Sequence, residues 1–173
     1  MKIADEHARC SIELQRAFGL RREECIKFQP KFALQGQSVV EAKGVALKGS
    51  WCKGGRERTV PITNDYQREV LARAVALAKS GSMIPPKLKY IDQVHKYNWA
   101  AEKAGLHKLH GLRHEYAQSR YFELTGWKAP VADGPKAKEM TPEQRVIDKA
   151  VRLKISNELG HGREAITAVY LGR

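Results

Sequence analysis

The chain has 173 residues, 42% of them hydrophobic, which is enough for one domain with its own core and excludes disorder as the default reading. Lys and Arg number 31 against 19 Asp and Glu, a formal charge of +12, so a polyanionic partner is expected, nucleic acid ahead of an anionic membrane. No stretch approaches the ~18 apolar residues of a membrane span, and Met1–Glu6 has no apolar signal core. A cytoplasmic location away from membranes is expected.

Cys10, Cys25 and Cys52 are odd in number and widely spaced, which suits reduced structural thiols. His7 with Cys10, and His110 with His114, are the pairs weighed as metal ligands. There is no Cys-x-x-Cys pair and no Glu after the first histidine, so neither a metal nor another cofactor is expected.

In chain order, residues 2–18 set Ile3, His7, Cys10, Leu14 and Ala17 at helical spacing and open without a cap, like a helix inside a longer parent. A short helix follows Gly19–Glu24 and is interrupted at Pro30. Val45, Leu47 and Trp51 alternate, Lys53–Arg56 supplies a turn, and Arg58–Ile62 runs extended: a β-hairpin, or three strands if Gln37–Glu41 joins. Roughly 64–80 places Val70, Leu71, Ala74, Val75 and Ala78 on one apolar helical face. Helices are expected at Ile91–Gly105 and His110–Leu124, then a Gly/Pro/Lys-rich surface loop at Gly126–Met140. Thr141-Pro142-Glu143-Gln144 reads as a capping box with Pro at the first helical position, opening a helix to about Leu159. After Gly160-His161-Gly162, a last short helix carries Ala165, Ile166, Val169 and Tyr170. The fold class is mainly α with one small antiparallel sheet (α+β).

Four pieces of the sequence, in order, resemble the catalytic domain of the tyrosine recombinase (phage integrase) family. Gly19-Leu20-Arg21-Arg22-Glu23-Glu24 is similar to the box around the family's first catalytic arginine, matched at Arg21. Lys53-Gly54-Gly55-Arg56-Glu57-Arg58-Thr59-Val60-Pro61 resembles the hairpin that presents a catalytic lysine, matched at Lys53. His110-Gly111-Leu112-Arg113-His114 resembles the His-x-x-Arg box, and Leu159-Gly160-His161 the Leu-Gly-His box. Tyr170 follows His161 by nine residues, where the family places its nucleophile. The resemblance implies a single catalytic domain over 1–173 without the N-terminal DNA-clamping domain. The long interval from Arg113 to His161 implies an insertion at 126–140. Double-stranded DNA would be the partner and the origin bacterial or phage. The resemblance also implies a homotetramer on DNA, with a monomer expected for the isolated domain.

The side chains fit phosphoryl transfer. A tyrosine hydroxyl, with a reference pKa of ~10, is a weak nucleophile at neutral pH and needs cationic neighbours or a base. Arg21 and Arg113 suit the non-bridging phosphate oxygens, Lys53 suits protonation of the leaving deoxyribose oxygen, and His110 and His161 suit orientation or proton movement. Arg56, Arg58, Lys43 and Lys31 are expected to contact DNA phosphates. The expected activity is recombination, as in integration or excision of a mobile element. The alternatives are a type IB topoisomerase-like enzyme and an inactive DNA-binding module of the same fold. Arg22 reads as a surface or carboxylate-paired arginine, His107 and His114 as packing or solvated histidines, and Trp51 and Trp127 as core. Lys48 is the rival to Lys53.

Overall fold

A computed structural model describes residues 3–173. The first helix, α1 (Glu6–Phe18), does have a cap: Asp5 Oδ1 accepts the Ala8 amide at 2.8 Å. The expectation of an uncapped start is thereby corrected. Leu14 and Phe18 on its buried face have no exposed surface, and α1 packs against four of the helices that follow it. Short helices α2 (Arg22–Lys27) and α3 (Pro30–Ala33) follow, with Pro30 opening the second of them as its first residue.

The sheet has two strands, β1 (Gly44–Leu47) and β2 (Arg58–Pro61), antiparallel with Val45 opposite Val60 and Leu47 opposite Arg58. Gln37–Glu41 does not add a third. Ser38 and Glu41 close a turn through a 2.6 Å side-chain hydrogen bond, and Arg68 Nη1 takes the carbonyls of Val39, Val40 and Ala42. Acceptors that a strand would need are therefore already engaged. Trp51 also leaves the strand pattern. It sits in a 3₁₀ turn, buried with its ring 6.1 Å from Phe28 and 5.4 Å from Phe32.

The rest is helical: α4 (Asp65–Ala78), α5 (Tyr90–Lys103), α6 (Gly111–Thr125), α7 (Pro142–Glu158) and α8 (Ala168–Leu171). In α4, Val70, Leu71, Ala74 and Ala78 are buried as expected, while Val75 lies one position off the stripe and is exposed. Thr141 and Gln144 form the expected reciprocal cap of α7, at 3.2 and 2.9 Å. Between α6 and α7 runs an irregular segment with one 3₁₀ turn, held down by buried Ala129 and Met140 near its two ends. Among the described residues no helix is long and apolar enough to cross a membrane. The mainly helical fold with one small antiparallel sheet is as the sequence implied.

Candidate active site

The chain turns sharply between α1 and α2, and that turn fixes the first arginine. Gly19 ends α1 in the left-handed conformation (φ 60°), and a Cβ there would lie 2.6 Å from the Tyr116 ring. Leu20 then plugs into the core, and Arg21 opens α2 with its amide donating to Glu24 Oε2 at 2.7 Å. Its Nη1 also reaches Glu24 Oε1 at 2.9 Å, leaving the guanidinium tethered at one edge and partly exposed.

Glu24 has no exposed surface and is the anchor of this corner. Arg58 grips it with two hydrogen bonds, Nη1 to Oε1 at 3.0 Å and Nη2 to Oε2 at 2.8 Å, and Arg58 Nε donates to the Glu158 carbonyl at 2.7 Å. Burial pushes the Glu24 carboxyl up, but Arg58 and Arg21 outweigh it and hold the group at about 2. The expectation that Arg58 contacts phosphate is corrected: its side chain is 6% exposed and each guanidinium nitrogen has a protein partner. Glu24→Ala should cost about 3–5 kcal/mol in denaturant unfolding, because it strands a buried cation. Stability from Glu24 should be complete above pH 4.5, its ordinary value, and lost as pH falls toward about 2. A loss below ~1 kcal/mol, the scale of exposed pairs, would contradict this role.

Arg113, on α6, is fully buried. It donates to the carbonyl of Gly19, and through Nη2 to that of Leu159 at 2.8 Å, joining the first and last boxes. Among the described residues its Nε has no hydrogen-bond partner, and the guanidinium carbon lies 5.8 Å from the centre of the Tyr170 ring. At the end of α7 the Gly160 amide bonds to the Asn157 carbonyl and the His161 amide to that of Ser156, a Schellman cap that directs His161 back over the helix end. Gly160 has φ 77°, and a Cβ there would lie 2.9 Å from Arg58 Nη1 and 3.3 Å from Arg21 Nη1. The left-handed backbone favours glycine there, and any side chain would also crowd the two guanidiniums.

His161 Nε2 lies 3.2 Å from the Tyr170 hydroxyl. Tyr170 is 4% exposed, and its short helix is tied down by Gln118 Nε2 on the Tyr170 carbonyl at 3.2 Å and Arg152 Nη1 on the Gly172 carbonyl at 3.0 Å. Partial burial, with Arg21, Arg113, Arg58 and Arg56 around it, lowers the His161 pKa to about 4. His110 is lowered by the same burial, then by Arg113, His114 and Arg21. Both shifts favour the neutral imidazole at pH 7. His114, expected only to pack or be solvated, has its ring 4.8 Å from that of Tyr170, closer than His110 at 6.2 Å. Its i, i+4 relation to His110 placed it on the same helix face, a signal available in the sequence.

Arg21, Lys53, Arg56, His110, His161 and Tyr170 line one open cleft of about 610 Å³. Lys53 stands exposed on a 3₁₀ turn between the strands, whereas Lys48 Nζ lies 5.5 Å over the Phe32 ring and is not among the residues lining this cleft. Arg56 donates to the His161 carbonyl. Lys43 lines a separate cleft with Lys154, and Lys31 is exposed on α3. His7 Nδ1 lies 3.2 Å from the Met83 carbonyl, and burial pushes the Cys10 thiol up to about 12.

A family model described as Integrase matches residues 1–119, a span that contains Arg21, Lys53, His110 and Arg113 and stops before His161 and Tyr170. No curated protein matches the chain. Among solved structures, it is similar to the integrase from mycobacterium phage Brujita, at 18% sequence identity and a TM-score of 0.49. That similarity covers 98% of this chain and 50% of the other, so the chain spans about half the length of that integrase.

Proposed function

The chain belongs to the integrase family, and from that premise we propose that it is a catalytic domain that cuts and rejoins DNA through a 3′-phosphotyrosyl intermediate on Tyr170. The observation that carries this reading is the 3.2 Å approach of His161 Nε2 to the Tyr170 hydroxyl, in a cleft lined by Arg21, Lys53 and His110.

In this reading a backbone phosphate enters the cleft and Tyr170 Oη attacks phosphorus as the bond to the 5′ oxygen breaks. Neutral His161 is placed to take the hydroxyl proton, and Lys53 to give one to the departing 5′ oxygen. Arg21 offers the guanidinium edge not held by Glu24 to a non-bridging oxygen. Arg113 acts from beneath the tyrosine ring, with Nε as the donor still free of a partner. The phosphotyrosine keeps the energy of the phosphodiester, so an incoming 5′ hydroxyl reverses the step without ATP. Arg56, Lys43 and Lys31 are retained as phosphate contacts, and a homotetramer on two duplexes as the assembly.

Incubation with a nicked duplex followed by a denaturing gel tests the reading. A covalent protein–DNA adduct supports it, and binding without an adduct leaves a DNA-binding module. The histidine makes a second prediction. Burial first, and then the surrounding guanidiniums, keep His161 neutral; a phosphate in the cleft offsets the second cause, so DNA binding should take up protons between pH 4 and 6.5, the lowered and ordinary values. Calorimetry in buffers of different ionisation heat should show the uptake, and His161→Gln should lose most of it. Equal uptake in the variant would place the phosphate elsewhere.

A further inference from the structure

A second cleft, of about 670 Å³, shares Arg21, Lys53 and His110 with the first and runs away from Tyr170 between α2, α5 and the turn before α6. It adds Arg22, His107, Lys108 and Asn98 to those shared residues, and Glu102 is the one carboxylate lining it. Arg22 is exposed and, among the described residues, has no carboxylate partner: its Nη1 donates to Asn98 Oδ1 at 3.2 Å. Lys108 is exposed in the left-handed conformation (φ 54°), and its carbonyl accepts the Gly111 amide at 2.8 Å, closing the turn that delivers His110 to the catalytic cleft.

We infer that this second cleft carries the DNA backbone on one side of the scissile phosphate, with Arg22 and Lys108 as its phosphate-binding cations. The inference rests on the proposed function, since it needs a phosphate seated at Arg21, and deepens it by giving the strand a direction of exit. Three groups common to both clefts make the two spaces one continuous track. Four lysines and arginines against one carboxylate give that track the sign of a polyanion site. A single small anion would need only one of the two spaces, whereas successive phosphates along a strand need both. Arg22 and Asn98 hold each other at its wall, so Asn98 fixes the arginine where a phosphate passes. The Lys31 and Lys43 contacts lie outside both clefts.

The test is the salt dependence of binding to a short mixed-sequence duplex. Each phosphate contact contributes about −0.9 to the slope of log K against log salt. Arg22→Ala/Lys108→Ala should therefore make the slope less steep by about 2, whereas Lys136→Ala/Lys149→Ala removes equal charge from exposed positions outside both clefts and should change it little. Thermal unfolding checks that both variants remain folded, as expected for exposed side chains. If the wild type binds with a steep slope but the two variants change it equally, the second cleft is not the track, and the proposed function stands. If the wild type shows no salt-dependent DNA binding, the proposed function falls and takes this inference with it.

Discussion

Lys53→Ala is expected to slow cleavage of ordinary DNA by ~10²–10⁴-fold, the usual span for loss of a general acid. That span corresponds to about 2.7–5.4 kcal/mol of transition-state stabilisation. The physical reason is the leaving group, a deoxyribose alkoxide that is strongly basic unless protonated as it departs. Lys53 is suited to this because it is exposed on a turn at the mouth of the cleft, with glycines on its C-terminal side at 54 and 55. Replacing the bridging oxygen by sulfur gives a thiolate leaving group, whose conjugate acid has a pKa of ~8.5 by analogy with cysteine and needs no proton. The Lys53 variant should then recover most of its rate. Arg21→Ala should stay slow on the sulfur substrate, because charge on the non-bridging oxygens is still uncompensated. Lys48→Ala should cleave both substrates nearly normally, since Lys48 lies over Phe32. Rescue of Lys48→Ala in place of Lys53→Ala would reassign the acid.

What was legible in the sequence was local. Thr141 and Gln144 are three residues apart, and their reciprocal hydrogen bonds need nothing beyond that turn. The backbone turns of the candidate boxes are local in the same way. Gly19 is the helix end that Arg21 needs, and Gly160 the close approach that His161 needs. The misreadings came from partners distant in sequence. Arg58 looks like one more surface cation on a strand until Glu24, 34 residues earlier, is placed beneath it. Gln37–Glu41 looks extended until Arg68 takes its carbonyls. The meeting of Tyr170 with His161 was suggested by the family's spacing alone, because a nine-residue interval through a helix cap and a 3₁₀ turn has no fixed geometry. Arg113 is expected from the sequence to suit a non-bridging phosphate oxygen, and its burial near the Tyr170 ring, which the sequence does not reveal, depends on carbonyls from two other boxes.

If the Tyr170 oxygen becomes covalently joined to DNA, no substitution should do more damage than its removal. Tyr170→Phe deletes one oxygen, keeps the ring that packs near Arg113 and His114, and removes the 3.2 Å contact with His161. DNA affinity and fold should therefore stay close to those of the unaltered chain, while covalent attachment should vanish. The direct measurement is to trap the adduct on a nicked duplex, digest it, and locate the nucleotide-bearing peptide by mass spectrometry. A phosphonucleotide is expected on Tyr170 in the unaltered protein and no adduct in Tyr170→Phe. An adduct that persists in Tyr170→Phe, or maps to another residue, would contradict it.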